Sequence, residues 1–267
     1  MAMGSWLAVP RVWLESVGEI AQFTGKIVRQ VYGGRVLRFF AEGLRQSGIL
    51  IVSSTIVIWG FVFLIGLQCG IEGAYFNRSV GAPAYAGVFS AWCDLRELIP
   101  YAFGYMMAAK VGTGIVAELG SMRISDEIDA LEVMGIDSVT FLCATKLLAA
   151  WLVLPFVYIA AIGAAFLASY IAVVQQIGEV SSGGFFLIFW MFQNPPDLLF
   201  SLTKAMFMAT VIVLVGCYYG YNAGGGPVGV GTATAKSMVL NLVLIHLIGM
   251  LGSQLFWGAN PRAPIGG

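Results

Sequence analysis

Two long stretches of this chain carry no charged side chain. Residues 46–71 hold none, and neither do the 32 residues that separate Lys146 from Glu179. About 20 consecutive apolar residues let a helix cross the hydrocarbon of a bilayer. Only 10% of the 267 residues are charged and the mean hydropathy is +0.86, whereas soluble domains carry roughly 25% charged residues. The sequence therefore predicts an integral membrane protein, and the unbroken apolar runs favour helices over a β-barrel.

The apolar runs predict an all-α fold with about five membrane-spanning helices. Residues 180–196 contain GGFFLIFWMF, which is too short for a span and predicts an interfacial or a re-entrant segment. The expected spans are 46–71, 98–117, a third between Lys146 and Glu179, 199–221 and 237–257.

The N-terminal region, residues 1–45, mixes apolar and charged residues at helical spacing. It predicts an amphipathic helix in the membrane interface, with a soluble linker helix as the alternative. We expect a transmembrane domain over 46–258 and a C-terminal tail over 259–267. The apolar stripe is Val9, Val12, Trp13, Val17, Ile20 and Phe23, and the bases are Arg11, Lys26, Arg29, Arg35, Arg38 and Arg45.

The distribution of Lys and Arg predicts the orientation, because these residues concentrate in cytoplasmic loops. Six bases in the N-terminal region would lie inside, together with the loops that hold Arg123, Lys146 and Lys236. We therefore expect a cytoplasmic N-terminus and a C-terminus on the outer side of the membrane. The outer side would keep Arg78, Arg96, Lys204 and Arg262.

One twenty-residue segment, 118–137, collects six of the chain's 14 acids. Ser125 is placed to cap a short helix, and Gly135 is placed to end it. The apolar residues Ile124, Ile128, Leu131 and Met134 share one helical face, and the acids Asp126, Asp129 and Glu132 share another. Such a helix between two spans is either a solvated loop or a docking element whose apolar ridge fills a groove on a soluble partner.

Several chemistries have little support in the sequence. The four cysteines form no CxxC pair, the single histidine is His246, and the net charge is zero. We therefore expect no catalytic residue, no metal site and no nucleic-acid partner. The run GGGPVG, 224–229, follows an apolar helix rather than a strand, so a tight turn is favoured over a dinucleotide site. The chain lacks GxxxxGK[ST], so ATP is not expected to bind here.

Charged residues inside spans tend to face cavities or partners, since their insertion costs roughly 2.5–3.5 kcal/mol at mid-depth. Arg96, Glu97 and Lys204 fall near the outer ends of spans. They predict either a polar cluster that lines an outward lipid pocket or side chains that snorkel to the interface. Lys110 lies deeper, and could pair with Glu118 two turns on or snorkel inward.

The acidic segment resembles a known signature. AELGSMRISDEIDALEVMGID, 117–137, resembles the pattern AELGxMxxxxxIDALxxMGxD of the MlaE/YrbE permease family. LRELIP, 95–100, and GYNAGGGPVGVGTATAKSMV, 220–239, are also similar to that family, and the resemblance extends from about residue 35 onward. The YrbE permeases encoded in actinobacterial Mce operons look most similar.

This resemblance implies the membrane subunit of an ABC transporter that moves lipids between the inner membrane and periplasmic MCE proteins. It implies an MlaE-like permease fold, a separate ATPase that binds ATP and Mg²⁺, and a second permease chain, more often a different chain than an identical one. No cofactor is implied in this chain. A coupling helix at about 121–135 would dock on the ATPase. The coupling positions implied by the motif are Glu118, Gly120, Arg123, Glu127, Ile128, Asp129, Ala130, Leu131, Glu132, Met134 and Gly135.

Two other classes of protein remain as alternatives. A secondary transporter driven by an ion gradient would need ionisable residues at mid-span, for which Lys110 is the candidate. A structural membrane subunit that anchors an envelope complex would bind the ATPase without moving lipid.

Overall fold

The chain folds into long helices, as the apolar runs predict. A computed structural model describes the backbone of residues 5–260 and the side chains of Glu15 and residues 17–260. In that part every regular element is helical. The side chains of Val9, Arg11, Val12, Trp13 and Arg262, for which the sequence made predictions, are outside the described part of the chain. Most of the predicted tail, 259–267, is also outside it. The principal helices are α1 (Ser5–Tyr32), α2 (Arg35–Ser79), α3 (86–124), α4 (Glu127–Val133), α5 (Val139–Ile177), α6 (Ser182–Met191), α7 (Pro195–Tyr221) and α8 (Gly226–Trp257).

Four of these helices, α2, α5, α7 and α8, are long and apolar enough to cross a membrane. They contain four of the five predicted spans. Helix α6 has ten residues, about 15 Å of rise, which is too short to cross. The all-α membrane fold is therefore confirmed.

The remaining predicted span, 98–117, lies within α3, which is not among those four helices. Helix α3 is less apolar because it carries Arg96, Glu97 and Lys110. It nevertheless runs alongside α8 in the opposite direction. Glu97 lies beside Ser253 near the start of α3, and Gly120 lies against Val230 near its end.

The helices form one bundle with two distinct ends. One, named here the acidic end, carries residues 118–137, and the other, the far end, carries Arg96, Asp197 and Trp257. Helix α1 packs on the acidic end, where the Phe23 ring lies 5.3 Å from that of Tyr221. Helix α6 packs at the far end against residues that open α3, with Gly87 against its backbone.

Helices α2 and α5 run parallel and touch through their backbones. The Ser169 hydroxyl donates to the Gly66 carbonyl at 2.9 Å, and Trp59 donates to the Val157 carbonyl at 3.0 Å. A β-carbon on Gly66 would lie 2.5 Å from the carbonyl oxygen of Ala165. This pair therefore requires glycine at residue 66, because such close packing leaves no room for a methyl group.

Candidate functional site

The acidic segment is a rigid hairpin of two helices. Helix α3 ends at Ile124, and α4 begins at Glu127 after a sharp turn. Asp126 is the N-cap residue and takes a left-handed conformation at φ 58°, which short polar side chains tolerate. The Ser125 hydroxyl instead lies 3.0 Å from both the Ser121 carbonyl and the Glu127 carboxylate, and these two acceptors share its one proton. The prediction that Ser125 caps α4 is therefore wrong.

The end of α4 agrees with the sequence. Gly135 has φ +77°, a conformation that favours glycine. The Ile136 amide donates to the Leu131 carbonyl at 3.0 Å, and the Gly135 amide donates to that of Glu132 at 2.9 Å. These two bonds make a Schellman motif, which satisfies carbonyl groups that the helix end would leave unpaired.

Three side-chain contacts fix α4 to the bundle. Arg123 on α3 pairs with Asp129 at 2.6 Å. The hydroxyl of Ser138 contacts the Glu132 carboxylate at 2.7 Å, and the hydroxyl of Tyr221, at the end of α7, lies 3.1 Å from the same oxygen. Two of the predicted coupling residues, Asp129 and Glu132, therefore also anchor the segment that carries them.

The apolar ridge on α4 does not face solvent as a whole. Ile128 is fully buried in the chain's own core, and Leu131 packs against that core. The prediction that Ile128 docks on a partner is wrong, because burial in this chain leaves it no free surface. Met134 is 66% exposed, and Val133, which the sequence analysis did not select, is 89% exposed. The most exposed apolar side chains of this segment thus lie at the end of α4, and Ile124, at the end of α3, is 40% exposed.

Most acids of the segment face solvent. Glu127, Asp129 and Glu132 are exposed, as predicted for a connector surface. Glu118 is also exposed, but its carboxylate accepts a hydrogen bond from a buried lysine, Lys146, at 2.7 Å. Lys146 is itself buried and also donates to the Gln46 side chain at 3.0 Å.

Lys110 does not pair with Glu118, although the two residues lie two helical turns apart on α3. Its predicted partner, Glu118, is taken by Lys146. Lys110 lines a cleft of about 150 Å³ between α2, α3 and α5, together with Glu118 and Lys146. Among the described residues it has no ion-pair partner.

The far end holds a buried ion pair that joins α3 to α7. Two guanidinium nitrogens of Arg96 donate to one Asp197 oxygen, at 2.7 and 3.1 Å. The indole N–H of Trp257 donates to the other oxygen at 2.9 Å. The Arg96 guanidinium also lies 4.4 Å from the centroid of the Trp92 ring, a cation–π contact.

Lys204 is fully buried beside this pair. Its ammonium group donates to the Glu97 carboxylate at 2.9 Å, to the Arg96 carbonyl at 2.9 Å and to the Ser253 hydroxyl at 2.7 Å. An ammonium group has three N–H donors, so these contacts use them all. The snorkelling alternative is wrong for Lys204, because no part of its side chain is exposed. The structure brings Arg96, Glu97 and Lys204 together as predicted; their place in a lipid pathway stays a prediction.

The GGGPVG run forms the tight turn that was favoured. Gly225 and Gly226 both have positive φ, +81° and +72°, and α8 begins at Gly226. The turn joins α7 to α8 at the acidic end.

Residues 44–255 match a known family, described as permease MlaE. The match covers well over half of the chain. The chain belongs to the MlaE permease family. The matched residues of this permease include 117–137 on α3 and α4, where the exposed acids lie.

Relatives of this permease have related descriptions. A "Probable ABC transporter permease protein" of Rickettsia bellii is 32% identical over 162 residues, which are 61% of this chain and 62% of the relative. A protein of Synechocystis with the same description is 24% identical over 96% of both chains. TRIGALACTOSYLDIACYLGLYCEROL 1, a chloroplastic protein of Arabidopsis thaliana, is 27% identical over 88% of this chain and 67% of the relative.

Several residues that shape both ends of this permease were missed in the sequence. Asp197 follows two prolines at the start of α7, so it reads as a helix-capping acid rather than as the counter-ion of Arg96. Tyr221 and Ser138 lie far from Glu132 in sequence, and no local spacing brings them together. Trp257 resembles an interfacial tryptophan by position, yet its N–H is bonded inside the protein.

Proposed function

We propose that this permease is the membrane subunit of an ABC transporter that moves lipids, fatty acids or phospholipids among them, between the inner membrane and periplasmic MCE proteins. Two relatives are described as probable ABC transporter permeases, and a third is named for a galactolipid. ATP and Mg²⁺ would bind a separate ATPase, and this chain would perform no covalent chemistry. A second permease chain, more often a different one, would complete the membrane part.

The acidic segment is the observation that carries the proposal. It presents exposed carboxylates and two exposed apolar residues, Val133 and Met134, on a helix fixed to the bundle at both ends. A rigid projecting helix can transmit the motion of a bound partner into the bundle, which a mobile loop cannot do. ATP-driven closure of two ATPase chains would draw the coupling helices together and change the space between the two permeases.

Charge reversal of Glu127 tests this proposal. Glu127 is exposed and its carboxylate accepts from Ser125, two residues earlier, whereas that of Glu132 is bonded to Ser138 and Tyr221, outside α4. Complexes would be captured through this chain from detergent-solubilised membranes. We expect the wild-type chain to retain an ATPase, MCE proteins and a second permease. Glu127→Lys should lose at least nine-tenths of the ATPase and keep the other partners.

A matched variant controls for the added charge. Glu72→Lys makes the same change at an exposed acid near the far end of α2 and should retain the ATPase. A wild-type chain that captures no ATPase would contradict the ABC assignment. Equal ATPase capture by Glu127→Lys and wild type would contradict the docking role of the acidic segment.

One observation favours an ion-driven transporter as the second candidate. Asp94 is fully buried within α3, where it accepts a hydrogen bond from Ser169, and its other oxygen has no partner among the described residues. Buried ionisable residues in spans mark ion paths in secondary transporters. Lipid transport that persists without the ATPase and stops when an ionophore collapses the proton gradient would favour this candidate.

A further inference from the structure

The cleft between α2, α3 and α5 combines polar groups with an apolar wall. Its polar lining includes Lys110 and Ser53, and its apolar lining includes Leu50, Val111 and Ile115. This combination fits a ligand that has one charged group and a long apolar part. A purely aqueous site would not need the apolar wall, and a purely apolar one would not hold a lysine.

Lys110 leaves the cleft with an uncompensated positive charge. The Glu118 carboxylate is bound to Lys146, so these two charges balance each other at 2.7 Å. Lys110 is exposed in the cleft, and the described part of the chain gives it no carboxylate partner. Lys110 lies in the predicted span 98–117, where a lysine is costly unless an anion accompanies it. Lys110 also lies in a π-helical stretch of α3, Met107–Gly112, and such stretches are frequent at functional sites.

Gly114 provides the space for that anion. It lies one helical turn from Lys110 and one from Glu118, on the same face of α3. A β-carbon built on Gly114 would meet no atom within 4 Å, so the space above it is open. The Ser53 side chain lies on the opposite wall. Beyond Ser53, Ile56 and Val57 continue the same face of α2 and are exposed, which offers an apolar path out of the cleft.

We propose that this cleft binds a lipid with an anionic headgroup. The phosphate diester or carboxylate lies over Gly114 and pairs with Lys110, and the acyl chain leaves along the exposed face of α2. The assignment of this lipid as the transported substrate rests on the proposed function. The binding itself belongs to this chain and needs no ATPase.

Lipid retention by the purified full-length chain tests the proposal. Native mass spectrometry from detergent micelles would count the bound phosphatidylglycerol and oleate, with phosphatidylcholine as a lipid of no net charge. We expect about tenfold preference for the two anionic lipids, and Lys110→Gln should remove it. Inorganic phosphate at millimolar concentration should not compete. Competition by phosphate as strong as that by either lipid would overturn the lipid assignment in favour of a free anion.

Two matched variants separate the site from general effects. Lys236→Gln removes an exposed lysine outside this cleft and should keep the preference. Gly114→Leu should abolish anionic lipid retention by filling the cleft, whereas Gly163→Leu, at another glycine with no atom near its β-carbon, should not. Equal retention by wild type and Lys110→Gln would refute the site. If the wild-type chain captures no ATPase, only the proposed transporter is refuted. The lipid-binding proposal stands apart, because lipid retention is measured on the purified chain without an ATPase.

Discussion

The two ends of the bundle treat charge in opposite ways. At the far end, Arg96, Asp197 and Lys204 are buried and their hydrogen bonds are made inside the chain. At the acidic end most carboxylates face solvent, and the described contacts that restrain α4 are few. Charge at the far end therefore holds three helices in register, while most carboxylates at the acidic end stay in contact with solvent.

The physical reason lies in desolvation. Ion pairs removed from water stabilise a fold only when nearly all of their hydrogen bonds are satisfied, and breaking one leaves an uncompensated charge. Exposed carboxylates remain solvated and can change partners at low cost. Substitutions at the far end should therefore affect stability first, and substitutions at the acidic end should affect association first.

Removing the Asp197 carboxylate is the strongest test of this contrast. Asp197→Ala leaves the buried Arg96 guanidinium without its counter-ion, and we expect the free energy of unfolding to fall by about 3–5 kcal/mol. Thermal unfolding of the purified chain in micelles would measure the change. The double variant Arg96→Met/Asp197→Leu should recover more than half of the loss. An Asp197→Ala chain as stable as Glu72→Ala would show that the buried pair does not hold α3 to α7.

Glu118 is intermediate between the buried charges of the far end and the exposed charges of the acidic end. Its side chain is half exposed, but it pairs with the buried Lys146. Glu118→Ala should cost about 1.5 kcal/mol, since the Lys146 ammonium loses a charged hydrogen-bond partner. The same unfolding measurement applies. In a chain that already carries Lys146→Met, Glu118→Ala should change the free energy of unfolding very little. If Glu118→Ala costs as much there as in the wild type, the Glu118–Lys146 pair is not the source of the stability.

The smallest stability effect is expected at Arg123. Both Arg123 and Asp129 are partly exposed, so Arg123→Ala should cost about 0.2–1 kcal/mol. ATPase capture should nevertheless fall severalfold, because α4 loses one of its anchors. Arg45→Ala removes another exposed arginine with an intrachain partner, Glu42, and serves as the control. Equal ATPase capture by the two variants would show that the Arg123–Asp129 pair does not support docking of α4.

Much of the fold could be predicted from the sequence because membrane insertion depends on local composition. The spans in α2, α5, α7 and α8 follow directly from uninterrupted apolar runs. The short helix at Glu127–Val133 and its end at Gly135 also follow from local signals. The start of α4 did not, since Asp126 adopts a left-handed conformation that most residues avoid.

The candidate sites were less predictable because their contacts join distant parts of the chain. Arg96 and Lys204 could be selected as charges in apolar surroundings, yet Asp197 gives no comparable signal beside Pro195 and Pro196. Ile128 followed the correct helical period, but the period does not tell whether a face turns toward the chain's own core or toward a partner. Likewise, spacing allowed Glu118 to pair with Lys110, and only the packing of α5 gives it to Lys146.

Helix α7 links the two ends in a single element. Asp197 in its first turn holds Arg96, and Tyr221 at its last residue touches the Glu132 carboxylate. These residues are about 36 Å apart along the helix axis. A helix of this length acts as a strut, so a load applied to α4 would reach the far end of the bundle through a backbone that resists compression. The force-bearing path then needs no relay of side chains between the two charge networks.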